Sequence, residues 1–247
     1  MPSVPTALMR PVAATLGAAL LFVGLAATPS AVAGDPLAGA PVAGDCYNMT
    51  LDETNGNNEA GDPVPCGETH TTQVMAVKKL PSDLTWDSDA TKVTTAIHNG
   101  CGRAYDDTVG SNLKIRYRTQ YGVAWFVPTD DEKAQGGRWY SCHVVVREND
   151  RLASLPEQLP KLRLPLPNSV ARCVTGLKVY EFTTCADNHN WRSSYTAYVF
   201  KKPTDENISR AAKRICPRHV SSRAWLESAL TISRAKFLVA CYSKTRS

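Results

Sequence analysis

After residue 33 the sequence holds no apolar run long enough to cross a membrane, so no span is expected in the chain that remains once a leader is removed. There is no cysteine before Cys46, so no thiol sits beside that start to carry a lipid anchor. Gly-x-Ser-x-Gly, His-Glu-x-x-His and a Gly-rich phosphate loop are all missing, which removes the signatures of α/β-hydrolases, zinc proteases and P-loop enzymes.

What is present begins with an export signal. A single cation, Arg10, precedes an apolar stretch from Val12 to about Ala27, and Ala31-Val32-Ala33 supplies the small residues a signal peptidase needs. Residues 1–33 therefore read as a signal peptide, with Gly34 as the first residue of an exported chain. The 8 cysteines, at 46, 66, 101, 142, 173, 185, 216 and 241, all follow it. An even number in an exported chain favours disulfides over thiols. The expected location is extracellular, with cell-wall association the natural extension, and nucleic acid is not an expected partner.

The chain also divides itself. Residues 151–169 carry Pro156, Pro160, Pro165 and Pro167, which block helix and sheet ladders and favour an extended connector. Four cysteines fall on either side, and the sides align. Cys66 precedes His70 as Cys185 precedes His189; Lys78-Lys79-Leu80-Pro81 answers Lys201-Lys202-Pro203; Trp125 lies 17 positions before Cys142, and Trp225 lies 16 before Cys241. Self-similarity on this scale marks tandem copies of one folding unit. The expected organisation is a short linker at 34–43, a first unit at 44–150, the connector at 151–169, and a trimmed second unit at 170–247.

Each unit reads as α+β, a small antiparallel sheet with one helix and two disulfides. Gln73, Met75 and Val77, like Tyr198 and Phe200, alternate as in strands that follow each Cys-x-x-x-His. Val93, Ile97 and Cys101, like Ile208, Ala212 and Cys216, recur at helical spacing, which places the third cysteine of each unit on a buried helix face. Gly100, Gly102 and Pro217 put both cysteines near helix ends. LKIRYR, from Leu113 to Arg118, alternates apolar and basic like a strand, and two more strands are expected around the loop from Pro128 to Gly137. Four cysteines per unit allow three connectivities. The favoured pairing is first to second and third to fourth: Cys46–Cys66 and Cys101–Cys142, then Cys173–Cys185 and Cys216–Cys241. The first bridge staples a polar segment with little to bury, and the second ties helix to last strand.

Cys66, His70, Cys185 and His189 make a Cys2His2 set by type, but zinc sites place Cys near Cys and His near His, and duplication accounts for the pattern without a metal. The two histidines are read as structural imidazoles bonded to a neighbouring loop. Asp106-Asp107 and Asp130-Asp131-Glu132 read as solvated loop carboxylates. The loop from Asp52 to Asp62 is rich in oxygen ligands but lacks the EF-hand register. Trp191, Tyr195 and Tyr198, near Arg192, read as core rather than a sugar platform. No cofactor, metal or catalytic residue is expected.

Charge is more informative. Residues 34–150 hold 10 Lys+Arg against 17 Asp+Glu, net −7, whereas residues 151–247 hold 17 against 6, net +11. Arg210, Lys213 and Arg214 share the helix face opposite Ile208 and Ala212, with Arg218 following. This is the candidate anion-binding patch. Its expected partner is an anionic cell-wall polymer or an envelope protein.

Gly44-Asp45-Cys46-Tyr47, Val64-Pro65-Cys66 with His70, a helical Cys101, and Trp125 with Pro128, Gly137 and Cys142 together resemble the actinobacterial septum-formation domain, a module of secreted or membrane-tethered envelope proteins. The second unit is similar only in its cysteines, His189 and Trp225, as a degenerate copy. The resemblance implies a role in the cell envelope near the division site and carries over no catalytic residues. The resulting expectation is a non-enzymatic binding module. The competing one is an exported hydrolase with a site between the two units, assembled from His70, His189 and loop carboxylates.

Overall fold

The cysteine-anchored segments become strands. The structure, a computed structural model, describes residues 34–56, 61–176 and 180–245; the expected signal peptide lies outside them. In chain order the elements are β1 (Cys46–Tyr47), β2 (Thr72–Lys79), α1 (Ala90–Val109), α2 (Leu113–Arg116), β3 (Tyr121–Phe126), α3 (Asp130–Ala134), β4 (Trp139–Glu148), β5 (Arg151–Ala153), β6 (Arg172–Thr175), β7 (Glu181–Thr184), β8 (Trp191–Val199), α4 (Asp205–Ile215), β9 (Trp225–Ser233) and β10 (Lys236–Lys244). Two antiparallel five-stranded sheets result. One has the order β1-β2-β4-β3 with β5 added to β4, and the other β7-β6-β8-β10-β9.

The α+β expectation needs correcting towards β. Each sheet carries one helix of more than two turns, α1 or α4, while α2 and α3 are only 4 and 5 residues long. LKIR is helical because the Asn112 side chain accepts from the Lys114 amide at 3.1 Å, capping a turn that the alternating pattern disguises. α3 forms within the expected loop on a capping box between Thr129 and Glu132.

α1 starts where the Asp89 carboxylate accepts from the Lys92 amide, and it buries Val93, Ile97, Cys101 and Ala104 against Tyr140 and Cys142 of β4. Each fully buried aliphatic chain there contributes about 1.5–3 kcal/mol. The helix does not end at Cys101, as the flanking glycines suggest, but at Gly110, whose φ of 107° suits glycine. Gly100 serves a different purpose. A Cβ there would lie 2.0 Å from the Tyr140 hydroxyl oxygen, so glycine lets helix and sheet approach. The other face of the sheet buries Tyr47, Met49, Val74, Phe126 and Val145. β10 is likewise covered on both sides, by α4 against Phe237, Val239 and Cys241, and by Val174, Trp191 and Tyr117 against Ala240 and Tyr242.

Four disulfides join Cys46–Cys66, Cys101–Cys142, Cys173–Cys185 and Cys216–Cys241, and no cysteine is free. These are the pairs favoured on sequence grounds.

The proline-rich segment is less of a spacer than its composition implies. Arg151–Ala153 pairs with Val146–Glu148 as β5, the Leu155 amide donates to the His70 carbonyl at 2.9 Å, and Leu162 donates to Val109 at 2.9 Å. Leu155 and Leu166 are buried. The sheets meet through backbone: Thr119 bridges Ala171, Gln120 donates to Val170 at 2.8 Å, and Arg172 donates to Arg118 at 2.8 Å.

Candidate functional site

The duplicated Cys-x-x-x-His turns are built alike. The Nδ1 of His70 hydrogen-bonds the Glu68 carbonyl at 2.9 Å, and that of His189 the Asp187 carbonyl at 2.8 Å. A carbonyl only accepts, so each Nδ1 carries the proton and each ring clamps the turn that contains it. Cys173, Cys185 and His189 place ligand-type atoms within 4.8 Å of one another. Both sulfurs are spent in a disulfide, however, and neither can supply the thiolate a zinc ion needs. The acidic pairs are also engaged locally: Asp106 pairs with Arg116, Asp130 with Lys133 at 2.9 Å, and Glu132 closes its capping box. In the Asp52 loop, Glu53 accepts from the amide and hydroxyl of Thr50, while Asn57–Ala60 lie outside the described residues.

Between the sheets opens a groove of about 830 Å³ lined by Tyr121, Arg147, Asp150, Arg172, Glu181 and Phe182 among others. Neither His70 nor His189 lines it. Arg172 is held there by its Nε, which donates to the Gln120 Oε1 at 3.0 Å, and by rings on two sides, Tyr117 at 4.7 Å and Phe182 at 5.2 Å. Beside the groove, Glu148 is buried and accepts from the Thr184 hydroxyl and from Arg151 at 2.8 Å, which ties β4 to β7.

Tyr121, at the groove wall, has a buried hydroxyl with no hydrogen-bond partner among the described residues. Burial pushes its phenol up to about 12, with nearby Tyr105 adding to the effect. An unfolded tyrosine ionises near pH 10. The folded pKa is the raised one, so this contribution to stability is complete below about pH 10 and is lost as pH rises towards about 12, amounting to roughly 2–3 kcal/mol at most. Tyr121→Phe removes the unpaired hydroxyl. It is expected to raise stability at neutral pH by about 1 kcal/mol and to flatten the fall in melting temperature between about pH 10 and 12, measured by thermal denaturation.

The predicted basic patch sits on α4. Thr204 caps the helix by accepting from the Asn207 amide, Ala211 and Ala212 are buried against β10, and Arg210, Lys213 and Arg214 point to solvent, with Arg218 exposed in the following 3-10 turn. Ile208 is only partly covered. A cleft of about 140 Å³ between α4 and the end of β8 is lined by Lys201, Asn207, Arg210 and Arg214, with Val199 and Ala211 as its floor. The structure thus brings Arg210 and Arg214 together and adds Lys201, while Lys213 and Arg218 stand outside. Lys201 escaped the sequence reading because Lys201-Lys202-Pro203 served there only as a repeat marker. Arg210 also pairs with Glu206 on its own helix. Trp191 is buried, Tyr195 stacks on His219 at 3.6 Å, and Tyr198 lies under the Lys236 ammonium at 4.1 Å. These three rings are engaged within the second sheet.

The described residues make a disulfide-stapled, predominantly β protein, an architecture consistent with an oxidising, extracytoplasmic setting, and no described helix is long and apolar enough to cross a membrane. Residues 25–125 match the family model described as septum formation, and the Gly44–Tyr47 opening, Cys66, His70, Cys101 and Trp125 all fall within that span. The resemblance to the septum-formation domain is thus supported by a family model over residues 25–125. The match ends inside β3 and includes none of the second sheet. No curated protein and no solved structure matches the chain.

Proposed function

We propose that the chain is an exported, non-enzymatic envelope protein that serves septum formation as a binding module, holding an anionic cell-wall polymer through the cationic cleft of the second sheet. The observation that carries this reading is the convergence of Lys201, Arg210 and Arg214 on one cleft in the half whose net charge is +11. Its support is electrostatic. Three cations around one concavity raise the local concentration of a polyanion and can share one phosphate or carboxylate, and arginine forks match such groups in two bonds at once. The junction with the acidic half uses Arg118 and Arg172, so docking does not consume the α4 cations. The hydrolase reading loses support because neither His70 nor His189 lines the groove between the sheets.

The test is co-sedimentation with purified wall material across a salt series. Binding is expected to weaken as salt rises, since exposed charges more than about 8 Å apart are largely screened at 0.15 M. Lys201→Gln and Arg214→Gln should each weaken it more than Lys213→Gln, because Lys213 does not line the cleft. The triple change Arg210→Gln, Lys213→Gln and Arg214→Gln should abolish binding with melting unchanged, as all three side chains are exposed. Salt-independent binding, or binding that survives the triple change, would remove this assignment.

A further inference from the structure

Among the described residues five strands pair on one side only, β1, β3 and β5 in the first sheet, β7 and β9 in the second. An edge leaves a row of N–H and C=O groups unpaired, and chains guard such rows by shortness, charge, proline, bulges or a covering segment. Four of the five are guarded, β5 by its length of 3 residues and its opening Arg151. β1 has 2 residues, and Val64 bridges Cys46 from outside. β7 has 4 and opens on Glu181. β3 has 6, with the turn at Glu53–Asn55 against it and Gln120, at its entry, bonded to Val170.

β9 is different. It runs for 9 residues, WLESALTIS, with no proline, no lysine, no arginine and Glu227 as its only charge. Its single register shift against β10 falls at the hairpin end, beside Ile232, so the stretch from Trp225 to Thr231 is regular. Among the described residues no backbone hydrogen bond reaches β9 from any segment except β10. β-branched and aliphatic residues fill it, Ile232 is 37% exposed, and Thr231 and Ser233 are open to solvent.

We infer that β9 is a pairing edge for a second copy of this chain, joined antiparallel about Ala229 so that the two second sheets run on as one ten-stranded sheet. The occupant follows from the strand's own pattern. Reversing WLESALTIS about its central alanine sets Glu227 opposite Thr231, Ser228 opposite Leu230 and Leu226 beside Ile232, so the one charge never meets its like. Paired positions then have the same parity. Trp225 and Ala229 remain on the α4 side in both copies, and Leu226, Ser228, Leu230 and Ile232 form one mostly apolar ladder on the other. Arg223 and Arg234 flank the strand, and in this register Arg223 of one copy comes beside Arg234 of the other at each end. Screening should therefore strengthen this association as salt rises, opposite to polymer binding in the cleft. The inference is independent of the proposed function.

Sedimentation velocity on the purified protein tests it, over a concentration series at low and high salt. A shift from monomer to dimer is expected, more complete at high salt. Thr231→Glu places a carboxylate against Glu227 of the second copy at two symmetry-related positions and should weaken association about tenfold or more. Within one copy the two positions lie four residues apart on one strand, about 13 Å, so the melting temperature of the monomer should hardly move. The double variant Glu227→Lys/Thr231→Glu turns both contacts into opposite-charge pairs and should restore the dimer. A protein that stays monomeric at every concentration, a dimer indifferent to Thr231→Glu, or a double variant that fails to recover would each overturn the inference. The monomeric outcome would leave the edge to a strand from a different protein.

Discussion

Replacing Cys101 and Cys142 together by alanine is expected to cost about 4 kcal/mol and to lower the melting temperature by roughly 8–16 °C, more than removal of any other bridge. The bridge closes the longest loop of the four, with a sequence separation of 41 against 20, 12 and 25 for the others. Without it the unfolded chain regains the most freedom. Both sulfurs are also buried, at 2% and 0% exposure, in the cluster where α1 meets β4, so the double change adds a packing defect to the entropic loss. The Cys173–Cys185 bridge closes a much shorter loop, and its removal should cost about 3 kcal/mol. Paired thermal melts of the two double variants supply the check. An equal or reversed order would mean that loop length does not govern these bridges, and that native packing around Cys173 and Cys185 dominates.

The parts legible in the sequence were those tied to a chemical marker. The cysteines, the histidine four positions beyond the second Cys of each unit, and the tryptophan before each last Cys located the elements beside them, because a disulfide or a buried ring can satisfy its geometry in few ways. Lone periodicity did worse. LKIRYR alternates for only six residues, too few to separate a strand from one amphipathic turn, and the deciding signal was Asn112 just before it. Gly100 misled because glycine marks both helix ends and close approaches; Tyr140, forty residues on, determines which applies here. The candidate site was legible as charge, since the α4 cations could be placed on one face, but not as a cleft. Lys201 joins it only because β8 ends beside α4, a fact of tertiary placement.

Arg172→Ala is expected to loosen the junction between the sheets, at a cost of about 2–3 kcal/mol. The guanidinium sits between the Tyr117 and Phe182 rings and donates to Gln120, so one side chain binds β6 to the entry of β3, to the segment after α2 and to β7. Truncation forfeits both ring contacts and leaves the Oε1 of the buried Gln120 without its donor, while its Nε2 still donates to the Arg147 carbonyl at 3.2 Å. The Thr119–Ala171 bridge and its flanking backbone bonds remain, along with Glu148 and Thr184. The halves should therefore stay attached but open locally, with faster proteolysis within residues 154–169 and faster amide exchange at Gln120 and Arg172. Arg172→Lys keeps the charge but not the planar stack, and should fall between the two. Stability that drops while exchange and proteolysis at the junction stay at wild-type levels would show Arg172 acting inside the second sheet alone. If instead the junction opens as expected, the wild-type chain should unfold in one transition and the alanine variant in a broadened or double one, because the junction then no longer couples two sheets that each keep their own pair of disulfides.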